Sequence, residues 1–584
     1  MCGIIGYVGS RKASEVITEG LKRLEYRGYD SVGIAVAQGN SIDLRKDKGM
    51  VNPVAESMRF LDVSGTLALG HVRWATHGVP CKENAHPFID CTRTIVLAHN
   101  GVIENYSELK DELKKAGHRF SSETDSEVVV HLVEEERKKM PPLKAFMAAV
   151  RKLKGSYALL CTVADGAETL YCARRNSPLV LGVGKGEMFA ASDIPAMLAY
   201  TKTFVPLEEG DIAVLSRNGY KVYDANGKEA VRKSITVEWS LDMAEKGGYP
   251  HFMLKEINDQ KHFVHESLAA DVTNARAMVA GHEAIDIIAC GTSYHAGTIL
   301  KILLSRELGK RAEAFIASEY PFVANPGKKT LVIAISQSGE TADTMQAVKF
   351  AKSRGSKVLS LTNVVDSSIT RISDEVVYLN AGPEISVAAT KTFTSQAAVI
   401  YKLVSNPGPG QERLAAIPSL IEKAMAQESA IRAVAAKIAD KKDIFFIGRG
   451  LNYPVAMEGA LKLKEISYLH AEAYAGGELK HGPLSLIEKG VPVIAVAPKD
   501  ESLPKLFGNI KEVKARGAYV VALTDDEAVR NEADVSIPLP PAADATLYPF
   551  PEIIILQLLA YHVSVLRGIN PDRPRNLAKS VTVE

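Results

Sequence analysis

The sequence predicts a multidomain α/β protein, and three observations carry that expectation. The first is length. At 584 residues the chain exceeds what one hydrophobic core organises, since single cores stop growing near about 250–300 residues. The second is a first half made of short apolar runs separated by Gly, Asn and Asp, strand-like in length and bounded by turn residues. The third is a duplication in the second half. There Asp286-Ile287-Ile288-Ala289-Cys290-Gly291-Thr292-Ser293 repeats the plan of Asp443-Ile444-Phe445-Phe446-Ile447-Gly448-Arg449-Gly450, a buried strand running into a glycine-bearing turn.

Within residues 1–238, Gly3 and Gly6 flank Ile4-Ile5, which reads as a buried strand starting at Cys2. Ala13 to Leu24 has the period of an amphipathic helix, as does Asp125 to Lys139 with Val128, Val129, Leu132 and Val133 on its apolar face. Ile34–Ala37, Thr66–Val72, Thr94–Ala98 and Tyr157–Val163 are strand candidates. Residues 239–249 form a linker, because Gly247-Gly248 followed by Pro250 breaks regular structure. Helical pattern resumes from Phe252 to Leu268. Beyond it, Thr330–Ser336 and Val491–Ala497 add a second matching pair of β-branched runs. Such runs alternating with helices indicate parallel sheets covered on both faces. Two flavodoxin-like αβα subdomains follow, at 275–410 and 430–570, with a tail at 571–584.

Composition narrows the function classes. Hydrophobic residues make up 46% and charged residues 24%, the proportions of an ordinary globular protein. A net charge of +1 provides no basic field for nucleic acid. No apolar run reaches the roughly 18 residues of a membrane span, and the N-terminus lacks a secretory leader. The six cysteines, at 2, 81, 91, 161, 172 and 290, have neither the density of a disulfide scaffold nor the C-x-x-C spacing of a zinc site. Reduced thiols and a cytoplasmic location are expected. Cys81, Cys91, Cys161, Cys172 and Cys290 read as small apolar filler. No metal or organic cofactor is implied.

Chemistry first suggests itself at Met1-Cys2-Gly3. Once Met1 is removed, Cys2 carries a thiol and an α-amine on one residue. Their reference pKa values, about 8.5 and about 7.7–8.0, make the amine a local base for the thiol, as in hydrolases with an N-terminal threonine. A second-position cysteine means little alone. Weight comes from Arg73-Trp74-Ala75-Thr76-His77-Gly78, His99-Asn100-Gly101 and Ser122-Glu123-Thr124-Asp125. A thiol that attacks a carbonyl requires donors facing the developing oxyanion. Asn100 has a side-chain amide, and Gly101 a backbone N–H unobstructed by a Cβ. Arg73 can hold a carboxylate with its planar fork, and Asp125 a cation. Singly, each has a plainer reading: Arg73 as a surface cation, Asp125 as a helix N-cap, Trp74 as core. His77, His86 and His99 are not spaced for a metal.

On these motifs the chain resembles the N-terminal-nucleophile glutamine amidotransferases, in the branch joined to sugar isomerase (SIS) domains. The resemblance runs from Cys2-Gly3-Ile4 to Ala578-Lys579-Ser580-Val581-Thr582-Val583-Glu584. It implies a four-layer αββα glutaminase domain followed by two SIS subdomains. It also implies that Arg73, Trp74, Thr76, His77, Asn100, Gly101 and Asp125 line a glutamine site, with Asn100 and Gly101 as the oxyanion hole. Arg27–Ser31 is then a supporting turn, and Val79–Phe88 a lid that keeps the family's Asn84-Ala85-His86-Pro87 while varying around it.

Ser336-Gln337-Ser338-Gly339-Glu340-Thr341 lies beyond the carboxyl end of a strand and before a helix starting near Ala342. Ligands bind at that place in parallel sheets, and hydroxyls with helix-terminal N–H groups cradle phosphate; capping boxes look the same. The resemblance assigns Ser293, Ser336, Gln337, Ser338 and Thr341 to a sugar phosphate. Glu458, Lys462 and Glu465 fall on one helix face, either as a solvated ion pair or as the base that moves a proton between adjacent carbons. The resemblance implies Glu465 as that base, with Lys462 nearby and Glu458 in support. It implies His481 as the ring-opening imidazole, with an ordinary pKa near 6.5, and Lys579 as a Schiff-base amine.

The implied activity joins two sites. L-glutamine is hydrolysed at Cys2, and ammonia travels an internal channel gated by Trp74. Fructose 6-phosphate is aminated and isomerised to glucosamine 6-phosphate, the entry to amino-sugar synthesis. A homodimer through the SIS domains is implied, with His481 supplied across the interface. Phosphoribosyl-type or asparagine-forming amidotransferases would need a phosphoribosyl-pyrophosphate motif or a pyrophosphatase loop. A sugar-phosphate sensor would have no need of Cys2, Glu465 and Lys579 together, and a deaminating isomerase no use for the first half.

Overall fold

Ile4 and Ile5 point to opposite faces of the strand Gly3–Val8, as the two-residue period of a strand requires, and each face is buried differently. In the computed structural model, which describes residues 2–75, 77–237 and 246–579, Ile4 packs with Leu69, Val96, Ala98, Leu160 and Leu170 between two sheets. Ile5 packs with Val16, Ile17, Leu21 and Leu24, the apolar stripe of helix Ala13–Leu24. Met1, Thr76, most of the linker and Ser580–Glu584 lie outside the described residues.

The chain divides into two compact units. The first holds the described residues up to 237 together with Ala578 and Lys579; the second holds 246–577. In the first, an eight-stranded sheet has Gly3–Val8 between Glu187–Ala191 and Leu67–Arg73. A seven-stranded sheet has Ile95–Ile103 paired with Gly155–Val163 in antiparallel register, placing Asn100 opposite Ala158 and Gly101 opposite Tyr157. The helices Glu127–Arg137 and Pro142–Arg151 cover its outer face through Val128, Val129, Leu132, Phe146 and Ala149. The layers are therefore helix, sheet, sheet, helix, the αββα order that the resemblance implied. The helix Glu127–Arg137 starts two residues later than the Asp125 its period suggests. Asp125 is drawn off as an acceptor for the Ile103 N–H at 2.7 Å, and the Glu127 carboxylate takes the N–H groups of Ser121 and Ser122 at 2.8 and 2.7 Å.

The second unit contains two five-stranded parallel sheets. One runs Arg311–Ile316, Ala284–Ala289, Thr330–Ser336, Lys357–Thr362, Glu375–Tyr378; the other runs His470–Ala475, Asp443–Gly448, Pro492–Val496, Tyr519–Thr524, Val535–Pro538. In both, the first strand in sequence lies second in space and its successor lies at the edge, the flavodoxin-like order 2-1-3-4-5. Both sheets feed one continuous core with the helices Phe252–Ala269, Gly291–Leu308, Lys391–Val404, Asn452–Ser467 and Pro549–Leu566.

The last of these holds no uninterrupted apolar run of 18 residues, yet by length and composition it is apolar enough to cross a membrane. An 18-residue stretch within Ala545–Leu566 has a mean hydropathy of 1.5, but 89% of it is buried inside the protein. Gln557, His562 and Ser564 interrupt the apolar run and so hid it from a count of consecutive residues. Their partners are those of a core helix: Gln557 accepts from Gln260 at 2.6 Å, and Ser564 donates to the Ile466 carbonyl at 2.8 Å.

Candidate active sites

The first site is built where Gly3–Val8 and Leu67–Arg73 run side by side, so that the residue before one strand meets the residues after the other. Cys2 Sγ lies 3.4 Å from the Trp74 carbonyl and accepts the Trp74 N–H at 3.3 Å. Its own carbonyl accepts from Asn100 Nδ2 at 3.0 Å and from Arg27 Nε at 3.2 Å. Burial pushes the Cys2 thiol up, while the Trp74 N–H and the Arg73 guanidinium act in the other direction. An amide nitrogen has two donors, so Asn100 can hold Cys2 with one N–H and offer the other. Gly101 beside it has φ 129°, in the region that favours glycine. A Cβ there would sit 2.0 Å from the Ser156 carbonyl oxygen, so the strand keeps its pairing only with glycine at that position.

The remaining predicted residues surround this core. Arg73 is buried, and its fork donates to the carbonyls of His77, Gly78 (3.0 Å) and Val79 (3.5 Å). It thus shapes the loop that follows, in place of the surface cation the plainer reading offered. Trp74 packs edge-to-face on Tyr29 with ring centroids 5.5 Å apart, and His77 likewise on Tyr106 at 5.9 Å. Asp125 is buried and tied to the strand bearing Asn100 and Gly101 through Ile103, so it is not a helix cap. Thr76 lies outside the described residues. Asp30, read only as part of a supporting turn, accepts the Ala75 N–H at 2.8 Å and donates its own N–H to the Arg73 carbonyl at 3.0 Å. His86, from the segment read as a lid, stacks on His71 at 4.0 Å. Burial holds both rings well below the usual histidine range, so neutral faces meet.

The second site lies beyond the carboxyl ends of the parallel strands. In the loop after Thr330–Ser336, the Ser336 hydroxyl accepts the Gly339 N–H at 3.1 Å and is 3.1 Å from the Thr341 hydroxyl. The Gln337 carbonyl accepts from Asn363 at 3.1 Å, and Ser338 Oγ accepts the Glu340 N–H at 3.2 Å. Gly339 has φ 65°, and a Cβ would meet Ser367 Oγ at 2.0 Å. Helix Ala342–Ser353 starts immediately after Thr341, so the loop is folded over a helix N-terminus, where backbone dipoles favour an anion. Ser293 Oγ accepts from Gln396 at 2.9 Å.

Glu458, Lys462 and Glu465 do share one face of helix Asn452–Ser467, but it is not a solvated one. Glu458 and Lys462 have no exposed side-chain surface. The Lys462 ammonium stands 3.3 Å from Glu458 Oε1 and 2.6 Å from Glu465 Oε2. Burial works against both charges, but each outweighs it for the other: Lys462 is held above the ordinary lysine range by Glu458 and Glu465, and Glu458 below the ordinary carboxylate range by Lys462 and His295. The ladder is completed from the other subdomain. Thr292 donates to Glu458 Oε1 at 3.0 Å and accepts from Lys462 at 3.0 Å, and His295 Nδ1 lies 2.7 Å from Glu458 Oε2. Sequence reading missed Thr292 and His295. Their only signal was the glycine-bearing turn that opens helix Gly291–Leu308. Glu465 is half-buried, and His481, at the end of the short segment Gly476–His481, is exposed. Lys579 is half-buried and falls with the first compact unit.

Residues 278–405 and 437–567 match the SIS domain family, and residues 71–199 match the glutamine amidotransferase domain family. The glutamine–fructose-6-phosphate aminotransferase (isomerizing) of Thermococcus kodakarensis is 50% identical over 603 residues, and that of Pyrococcus horikoshii 48% over 600, with 100% of both chains covered in each case. The C-terminal domain of glucosamine-fructose-6-phosphate aminotransferase from Francisella tularensis is 36% identical, covers 56% of this chain and 100% of that one, and superposes with a TM-score of 0.53. With a cysteine site on an αββα scaffold, two SIS sheets in one core and half the residues shared end to end, this chain belongs to the family of isomerizing glutamine–fructose-6-phosphate aminotransferases.

Proposed function

We propose that the chain transfers the amide nitrogen of glutamine to fructose 6-phosphate, giving glucosamine 6-phosphate and glutamate. The Cys2 thiolate attacks the amide carbon, and the oxyanion takes hydrogen bonds from Asn100 Nδ2 and the Gly101 N–H. Ammonia leaves as the C–N bond breaks, and water then cleaves the thioester. Arg73, Trp74, Thr76, His77 and Asp125 enclose the glutamine. The observation that supports this half is the 3.0 Å bond from the Asn100 amide to the Cys2 carbonyl.

At the sugar site, Ser336, Gln337, Ser338 and Thr341 hold the phosphate, with Ser293 beside them. His481 opens the ring, supplied across a SIS-domain homodimer in the cytoplasm; its exposure fits delivery to a second copy. Lys579 condenses with the C2 carbonyl and releases water, and ammonia arriving through a channel gated by Trp74 displaces the lysine amine. Glu465 then moves a proton from C1 to C2, held in place by the Lys462 ammonium. The water consumed at the first site balances the water released at the second.

The test is Cys2→Ala in the full-length chain. Glutamine-dependent glucosamine 6-phosphate formation is expected to disappear, while formation from added ammonium salt persists. Glutamine-dependent synthesis surviving in that variant rejects the nucleophile.

A further inference from the structure

Four side chains that this reaction does not use converge within the first compact unit. Cys91 sits in the turn between the strands Phe88–Ile89 and Ile95–Ile103, and His118 follows helix Tyr106–Lys115. His131 and Glu134 are one turn apart on helix Glu127–Arg137. One donor atom from each lies within 4.8 Å of the others. Cys91 Sγ is 3.7 Å from His131 Nδ1 and 3.9 Å from His118 Nδ1. Both nitrogens are 2.9 Å from Glu134 Oε2.

We propose that Cys91, His118, His131 and Glu134 form a structural site for a zinc-class transition-metal ion. Tetrahedral zinc with bonds of about 2.3 Å to sulfur and about 2.0–2.1 Å to nitrogen and oxygen separates sulfur from nitrogen by about 3.6 Å and nitrogen from oxygen by about 3.3 Å. The observed separations lie within a few tenths of an ångström of both values. A thiolate and a carboxylate neutralise the charge of a divalent ion, and the two imidazoles remain neutral. This sulfur, nitrogen and oxygen set is too soft for magnesium or calcium.

The surroundings fit as well. His118 places its far nitrogen 2.9 Å from Glu135 Oε2, the carboxylate–histidine arrangement that orients a metal-binding ring. The Arg119 N–H donates to Cys91 Sγ at 3.4 Å, where a thiolate needs support. His118, His131 and Glu134 are buried while Cys91 is exposed, so the site has rigid walls and an open side for entry. Four protein donors leave no position for a substrate, the mark of a structural ion. It pins the turn entering the strand of Asn100 and Gly101 to the helix that follows Asp125. A network in which Glu134 accepts from both imidazoles with no metal is the competing arrangement, and the experiment separates the two.

Chelator-treated full-length protein is titrated with Co2+. The expected result is one equivalent bound with strong four-coordinate visible bands and a thiolate-to-cobalt charge-transfer band, both removed by Zn2+. The charge-transfer band should persist in Cys2→Ala and vanish in Cys91→Ser, whose exposed position keeps folding and glutamine hydrolysis intact. His131→Gln should weaken binding beyond the about 10–100-fold that loss of an outer partner costs. Zn2+ should raise the melting temperature of the wild type and leave that of Cys91→Ser unchanged. Absence of the band in the wild type, or its survival in Cys91→Ser, overturns the proposal.

Discussion

Asn100 and Lys462 illustrate how one side chain acts through its neighbours. Asn100 binds the Cys2 carbonyl with one N–H and leaves the other for an oxygen that becomes negative only during reaction. Such a donor strengthens the transition state more than the bound substrate. Asn100→Ala is therefore expected to lower kcat for glutamine hydrolysis by about 10²–10³, the usual cost of one oxyanion donor, with KM little changed. Steady-state kinetics on glutamine measure that split. Lys462 lies with no exposed surface between two carboxylates. Removing one member of a buried pair leaves the other charge uncompensated, at about 3–5 kcal/mol. Lys462→Met should destabilise the second unit by that amount in denaturant unfolding followed by hydrogen exchange, while the first unit keeps its glutaminase activity.

Among the elements, helix Pro549–Leu566 is the one whose sequence and structure disagree most instructively. Glu552 is fully buried in it, and neither carboxylate oxygen has a hydrogen-bond partner among the described residues. Burial, reinforced by Asp500 and Asp525, pushes its pKa well above the ordinary value. The folded chain therefore retains a proton that the unfolded chain gives up near pH 4.3. Stability falls as pH rises through that value toward the raised folded pKa, because the native state binds more protons across the window. Glu552→Gln removes the proton uptake, so its melting temperature should gain on the wild type steadily as pH rises from about 4 to neutrality. A parallel pair of curves would reject the buried neutral acid. Elements with one clean period, such as Ala13–Leu24, and the two central strands of each parallel sheet, Ala284–Ala289 with Thr330–Ser336 and Asp443–Gly448 with Pro492–Val496, were legible because burial on one or both faces dictates the pattern. Pro549–Leu566 was not, since it is buried nearly all round and carries polar residues inside the core, Gln557 and Ser564 with distant partners and Glu552 with none among the described residues.

At the scale of the molecule, what sequence reading missed shares one cause: separation along the chain. Thr292 and His295 reach Glu458 across 166 and 163 residues, and Cys91 meets His118 and His131 across 27 and 40, so no local spacing announces either group. The Cys2 site was legible despite separations of 72 and 98 residues because its motifs, at Cys2, Arg73–Gly78, His99–Gly101 and Ser122–Asp125, resemble those of a known family. The division into two compact units has a functional consequence of its own. Cys2, Asn100 and Gly101 lie in one unit, and Glu458, Lys462 and Glu465 in the other, with no side chain shared between those groups. Each half-reaction should therefore be removable alone. Glu465→Gln keeps the size of the side chain and its contact with Lys462 but cannot accept a proton from carbon. It is expected to abolish glucosamine 6-phosphate formation from both glutamine and ammonium salt, while glutamate release from glutamine continues. Cys2→Ala should give the converse pattern. If Glu465→Gln stopped glutamate release as completely as sugar amination, Cys2 and Glu465 could not serve separate half-reactions.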